Sequence, residues 1–273
     1  MEERYARQTM LPEIGERGQR RLSEASVLIV GIGGLGSAAA LYLTGAGVGR
    51  IGLADADTVS KSNLQRQVLY TEGQVGMPKS AAARERLAAL SSHTAFECWP
   101  EGITPENARP ILAGYDLILD CCDNFPTRYL LDDVCAAFRK PWVHGSIGEF
   151  YGQVTVFNGR KGRRYSDLYP DREALCARPR ITQGVLGTVP GVIGTLQASE
   201  AIKYLCGFGE PLDGRLFTID LRTLQTQIKI INLQKHKKNL WEKDLTNMLR
   251  LTTPGSSKTA TYSTRKSIWW PTC

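Results

Sequence analysis

The sequence predicts an α/β fold: a Rossmann-like, doubly wound, mostly parallel sheet with antiparallel strands toward its C-terminal side. Three observations lead there. The apolar runs Val27-Leu28-Ile29-Val30 and Ile51-Gly52-Leu53-Ala54 flank an Ala-rich helical stretch, the pattern of parallel strands buried on both faces. The first run leads into Gly31-Ile32-Gly33-Gly34-Leu35-Gly36, a strand, a glycine turn and a helix start. At 273 residues and 42% hydrophobic composition, the chain can bury one full core without a second domain.

In chain order, residues 5–22 read as two short helices broken near residues 12–15, with Ser23 bounding the first strand. In the glycine turn, Gly31 permits the bend, Gly33 lets backbone N–H groups approach a phosphate, and Gly36 lets the helix pack closely. That helix directs its positive end at the phosphate. Asp55 ends the second strand, placed to accept a ribose hydroxyl. The turn alone suits a dinucleotide as well as ATP. Residues 79–91 form an alanine-rich amphipathic helix with Lys79 at its start. Residues 95–99 read as a strand, and Thr104-Pro105-Glu106 opens a short helix. A buried strand over 115–119 delivers Asp120 and Asp123 to the sheet edge holding Gly33 and Asp55.

A helix over about 126–138 follows, capped by Asp or Asn at its start. Arg128 on its first turn is left unassigned. Residues 142–147 and 150–157 form a hairpin; His144, a lone histidine in an apolar strand, reads as structural. The polar, aperiodic stretch 159–183 reads as a long loop. Residues 187–205 form a buried helix whose Gly191, Gly194, Ala198 and Ala201 suit close packing, and 216–220 and 226–231 form a final strand pair.

Charge and cysteine usage narrow the function classes. The net charge is +7, but residues 234–273 hold eight Lys or Arg against two acidic residues. The body, residues 1–233, is nearly neutral, which disfavours nucleic acid as its partner. The basic stretch reads as a poorly ordered tail. Seven cysteines without a regular framework suit a reducing compartment. No apolar run reaches membrane length and the N-terminal stretch lacks a signal pattern, so a cytoplasmic protein is expected.

Asn63 and Arg66, then Val75-Gly76-Met77-Pro78-Lys79, separate a triphosphate site from a dinucleotide site. An Arg fork and a Lys point charge suit phosphate oxygens and steady charge as pyrophosphate departs. Asp123 suits Mg2+ held jointly by a carboxylate and phosphate oxygens. Together with Arg4-Tyr5-Ala6-Arg7-Gln8, Asp55-Ala56-Asp57, Asn63-Leu64-Gln65-Arg66-Gln67, Asp120-Cys121-Cys122-Asp123-Asn124 and Gly191-Val192-Ile193-Gly194-Thr195-Leu196-Gln197-Ala198, these motifs resemble the ThiF/MoeB/HesA family of sulfur-carrier adenylyltransferases, bacterial relatives of ubiquitin-activating enzymes.

The resemblance implies ATP-dependent adenylation of the C-terminal glycine of a small ubiquitin-like sulfur carrier, as in thiamin thiazole biosynthesis. It implies a nucleotide site of Gly31, Gly33, Gly34, Gly36, Asp55, Asn63, Arg66, Lys79 and Asp123, with Mg2+ on Asp123. It also implies a homodimer in which Arg7 reaches the partner's site, and a sulfur-donor protein. Cys176 matches a crossover-loop cysteine that handles sulfur in relatives, with Arg178 and Arg180 favouring its thiolate. Many members hold zinc on two Cys-x-x-Cys pairs. Here Arg164-Tyr165-Ser166-Asp167 stands before Leu168-Tyr169-Pro170 and residues 231–238 contain no cysteine, so zinc is not expected. Alternatives are a molybdopterin-carrier enzyme, a tRNA-base-activating relative and a noncatalytic scaffold; an NAD-dependent oxidoreductase would leave Arg66, Lys79 and Asp123 idle.

Overall fold

Strand β1 (Ser26–Val30) is buried at all five positions, as an unbroken aliphatic run requires when helices cover both faces of a sheet. It pairs in parallel with β2 (Arg50–Ala54) on one side and β4 (Leu117–Asp120) on the other. Outside these, β3 (Ala95–Trp99) joins β2 and β5 (Trp142–Gly148) joins β4, again in parallel. The remaining strands β6 (Tyr151–Phe157), β7 (Arg215–Asp220) and β8 (Gln225–Ile230) are antiparallel. The eight-stranded order is β3-β2-β1-β4-β5-β6-β7-β8. This computed structural model describes residues 3–179 and 184–232. The expected tail, 234–273, lies outside them.

Side-chain alternation splits the core between two faces. Val27 and Ile29 pack with Leu35, Leu43 and Ile193, on the side of helices α3 (Gly34–Ala46) and α9 (Thr188–Cys206). Leu28 and Val30 pack with Ile111, Leu131 and Val134, on the side of α5 (Ala108–Ala113) and α6 (Phe125–Ala137). Gly194 is where α9 meets α3: a Cβ there would lie 2.2 Å from the Leu35 carbonyl oxygen. Gly191, expected on the same packing side, has nothing within 4 Å of such a Cβ. Helix α3 ends on Gly47 in the left-handed region, a normal glycine stop. Among the described residues no helix is long and apolar enough to cross a membrane.

The N-terminal arm holds α1 (Ala6–Thr9) and α2 (Gly15–Glu24), so the second helix runs past the expected boundary at Ser23. Helix α5 starts at Ala108, later than Thr104, because the Asn107 side chain accepts the Thr104 N–H and donates to the Gly102 carbonyl, making a turn first. Helix α4 (Lys79–Leu90) matches its expected range closely.

The expected loop over 159–183 contains α7 (Tyr165–Leu168) and α8 (Arg172–Cys176). A tertiary clasp makes them, which explains why no local period announced them. Asp132 on α6, with its side chain 1% exposed, accepts the Tyr165 N–H at 2.9 Å and the Arg164 guanidinium at 3.0 Å. The neighbouring Asp133 accepts Arg164 and Arg172. Arg163 donates to the Ile231 carbonyl at 3.0 Å, tying this segment to the end of β8. Of the two positions where the resemblance implies a first cysteine pair, Arg164 therefore belongs to an ionic clasp and Asp167 caps α7 by accepting the Arg164 N–H at 2.8 Å.

Candidate functional site

Val30, Ala54 and Asp120 lie in register across the three central strands. The segments leaving them, 31–36, 55–57 and 121–124, consequently meet along one edge of the sheet, where ligands collect in open α/β folds. The glycines of the first segment divide by cause. Gly31 has φ +89, and a Cβ there would lie 2.7 Å from the Cys121 carbonyl oxygen; one on Gly36 would lie 2.1 Å from the Gly31 carbonyl. One on Gly34 would strike Pro190 of α9 at 2.7 Å. Gly33 differs, because its nearest neighbour would be Gln67 Nε2 at 3.5 Å, an ordinary contact. Packing against the protein's own atoms therefore does not account for this glycine.

Asp55 does more than the sequence showed. Its Oδ2 accepts the Ile32 N–H at 2.6 Å and its Oδ1 the Asp57 N–H at 2.9 Å, so the second strand's last carboxylate fixes the glycine turn. Burial raises the Asp55 carboxyl above its ordinary value, against the opposing pull of Lys79 and these two N–H groups. Each oxygen keeps a further lone pair for a hydroxyl. Tyr70, absent from the sequence reasoning, donates to the Ile32 carbonyl at 2.7 Å. Its phenol is pushed up by burial and then by Asp55 and Asp57, which keeps it a neutral donor.

Lys79 is 4% exposed at the first turn of α4. Burial and the positive end of a helix both disfavour an ammonium group there. Asp57 offsets them: its Oδ2 accepts Lys79 Nζ at 2.8 Å, and its carbonyl accepts the Lys79 N–H at 2.9 Å. The Asp55-x-Asp57 spacing was the signal available in the sequence. Asn63 closes the turn that presents Arg66, its carbonyl accepting the N–H groups of Arg66 and Gln67. Half-buried Arg66 donates one guanidinium N–H to the Ser62 carbonyl at 3.2 Å.

Asp123 is exposed in the loop between β4 and α6. The capping role falls to Asn124, whose side chain accepts the Thr127 N–H at 2.9 Å. Asp120 is fully buried and already bonded to His144 and Cys122. Among the described residues no group of three or more metal-ligating side chains assembles, and the single exposed carboxylate of Asp123 is a donor that would fit Mg2+ only if a nucleotide brought the other ligands.

Two expected residues stand apart. Arg7 is exposed on α1, and its neighbour Gln8 donates to the carbonyl of Ala46 at the far end of α3. The 13 residues of α3 put about 20 Å of helix between Arg7 and its own glycine turn. Cys176 ends α8, half-buried against the α6 face with Tyr129 and Tyr169 nearby. Burial and then the Cys176 sulfur push the Tyr129 phenol up to about 12. Arg180 falls outside the described residues.

Comparison with known proteins adds a family to this geometry. The model described as the ThiF family matches residues 5–242. The chain belongs to the ThiF family. Among similar proteins, a sulfur carrier protein adenylyltransferase of Thermus thermophilus is 47% identical over 224 residues, covering 80% of this chain and 83% of that protein. An adenylyltransferase and sulfurtransferase MOCS3 of Drosophila yakuba is 48% identical over 218 residues, covering 80% of this chain. This ThiF-family chain spans about half, 48%, of that MOCS3 protein's length. Of solved structures, E. coli MccB with ATP aligns with TM-score 0.76 at 22% identity, covering 86% of this chain and 73% of that one. This likeness concerns the fold.

Proposed function

We propose that the protein adenylates the C-terminal glycine of a small ubiquitin-like sulfur-carrier protein, using ATP. The observation that carries the reading is Lys79: a buried ammonium held by Asp57 beside a glycine turn whose Gly33 stays open toward a ligand. The similarity to a sulfur carrier protein adenylyltransferase supplies the substrate class. A carrier carboxylate oxygen attacks the α-phosphorus, the bond to the pyrophosphate oxygen breaks, and pyrophosphate leaves an acyl adenylate. The attacking carboxylate is ionised at neutral pH and needs no general base.

In this reading the first N–H groups of α3, Arg66, Asn63 and Lys79 hold phosphate oxygens and stabilise the charge that moves onto pyrophosphate. Asp55 takes the ribose, and Gly31, Gly34 and Gly36 keep the turn in shape. Asp123 holds Mg2+, which would screen the phosphate charges. Because Arg7 lies at the far end of its own α3, its reach to phosphate requires a partner copy, so we assign it to a homodimer. The exposed Met10, Leu11 and Tyr42 beside it support such an interface. Cys176 handles sulfur, delivered by a donor protein.

The test is Mg2+-dependent exchange of labelled pyrophosphate into ATP with candidate carriers. A thiamin-pathway carrier is the first candidate and a molybdopterin carrier the second. Lys79→Ala is expected to lower exchange at least about 100-fold, the scale of removing one preorganised charge contact. Exchange unaffected by Lys79→Ala, or independent of an intact carrier terminus, overturns the reading. The combined adenylyltransferase and sulfurtransferase name of the MOCS3 relatives favours coupled sulfur transfer as a second activity. Cys176→Ser then keeps exchange while thiocarboxylate formation falls.

A further inference from the structure

The sequence reading gives His144 no role, yet it stands at the centre of a buried chain of hydrogen bonds. Its Nδ1–H donates to Asp120 Oδ2 at 2.6 Å, and both side chains have zero exposure. Its Nε2 accepts from the Gln153 amide at 3.4 Å, and the same amide donates to the Tyr169 hydroxyl at 2.6 Å. These bonds suit the neutral tautomer protonated at Nδ1. Burial lowers the His144 pKa, against the opposing pull of Asp120.

On its other oxygen, Asp120 grips the loop that follows β4. Oδ1 accepts the Cys122 N–H at 3.1 Å and the Cys122 thiol at 2.8 Å. Arg128 stands 3.5 Å from Asp120 Oδ2 through Nε and donates from Nη2 to the Cys122 carbonyl at 2.8 Å. Both polar groups of Cys122's main chain are therefore held by one buried ion pair. The next residue is Asp123. From there the chain of contacts runs through Asp120 in β4, His144 in β5 and Gln153 in β6 to Tyr169 in the crossover segment.

We propose that His144 is a positioning residue: by holding Asp120 through Nδ1–H, it fixes the 121–124 loop so that Asp123 meets Mg2+ and nucleotide in a productive arrangement. Partners one bond removed from a ligand commonly set its orientation in this way. The inference rests on the reading of Asp123 as the Mg2+ carboxylate, and its test separates the two.

Calorimetric titration of the full chain with α,β-methylene-ATP, with and without Mg2+, gives the factor by which Mg2+ tightens nucleotide binding. His144→Leu is expected to reduce that factor about tenfold while leaving the Mg2+-free affinity unchanged. His144→Asn, whose amide nitrogen takes the place of Nδ1, restores most of it; His144→Gln, whose nitrogen reaches toward the Nε2 position, does not. Asp123→Asn abolishes the factor. A wild-type Mg2+ factor in His144→Leu with only a lowered melting temperature overturns the inference, because Asp120 then needs no partner to place the loop. Should His144→Leu fail to fold, equal factors in the Asn and Gln variants overturn it. A wild-type factor in Asp123→Asn overturns the Asp123 reading itself, and the inference with it.

Discussion

Asp132→Asn tests whether the crossover segment is held by charge. In the folded chain the Asp132 side chain is 1% exposed and accepts the Tyr165 N–H at 2.9 Å and Arg164 at 3.0 Å. An asparagine keeps the shape but offers one acceptor oxygen, so its amide faces either the Tyr165 N–H or the guanidinium. Losing one charge-assisted bond costs about 1.5–3 kcal/mol. Two facts draw the figure toward its middle. The Arg164 side chain is 30% exposed and recovers water, and burial already raises the Asp132 carboxyl, so removing its charge gives some relief. A loss of about 2 kcal/mol lowers the melting temperature by about 4–8 °C in a domain of this size. Scanning calorimetry reads the shift, and hydrogen exchange should place lost protection at residues 164–176. Excess EDTA should leave the wild-type melting temperature unchanged. A shift below about 1 °C in Asp132→Asn, or an EDTA effect that matches it, refutes the ionic clasp.

Further expectations concern packing and pH. On α9, Gly194→Ala drives a methyl to 2.2 Å from the Leu35 carbonyl, whereas Gly191→Ala meets nothing within 4 Å. Urea unfolding should show the first losing about 3 kcal/mol or more and the second gaining about 0.5–1 kcal/mol. Burial lowers the folded-state pKa of His144 below its ordinary 6.5. Stability from neutral His144 is thus fully present above about pH 6.5 and lost as pH falls through the folded value. The slope of unfolding free energy between pH 6.5 and 5 should be steeper in wild type than in His144→Asn, by at most about 1.4 kcal/mol per pH unit. Equal slopes would mean that His144 takes up protons alike in the folded and unfolded chain, and a shallower wild-type slope that it stays protonated when folded.

What could be read in the sequence was mostly local. Val27-Leu28-Ile29-Val30 and the glycine turn announce a strand and a helix start because burial on both faces and a tight bend each restrict residue choice nearby. The same logic reached the Asn124 cap, one of the alternatives for that position, and the lysine at the start of α4. Contacts between distant residues escaped it. Asp55 bonds Ile32 across two strands, Asp57 shields Lys79, α7 exists because Asp132 receives its first N–H groups, and α8 is tied to the same helix by the Arg172–Asp133 ion pair. The His144 network escaped for the same reason, since Asp120, Gln153 and Tyr169 converge only after three strands pair. Small residues misled in one place: Gly191 has helical spacing with Gly194 but no neighbour to accommodate.

The strand order has a consequence in time. On one side β1 pairs with β2, close behind it in the chain, but on the other it awaits β4: the bond from the Ser26 N–H to Asp116 spans 90 residues. At about 5–20 residues per second of synthesis, one edge of Val27–Val30 stays open for roughly 5–20 s after it is made. Helix α3 waits longer for α9. A chain halted before Leu117 therefore displays an aliphatic strand with unmet N–H and C=O groups, the kind of edge on which chains aggregate. Pulse-labelling of stalled chains should find its strongest exposure there.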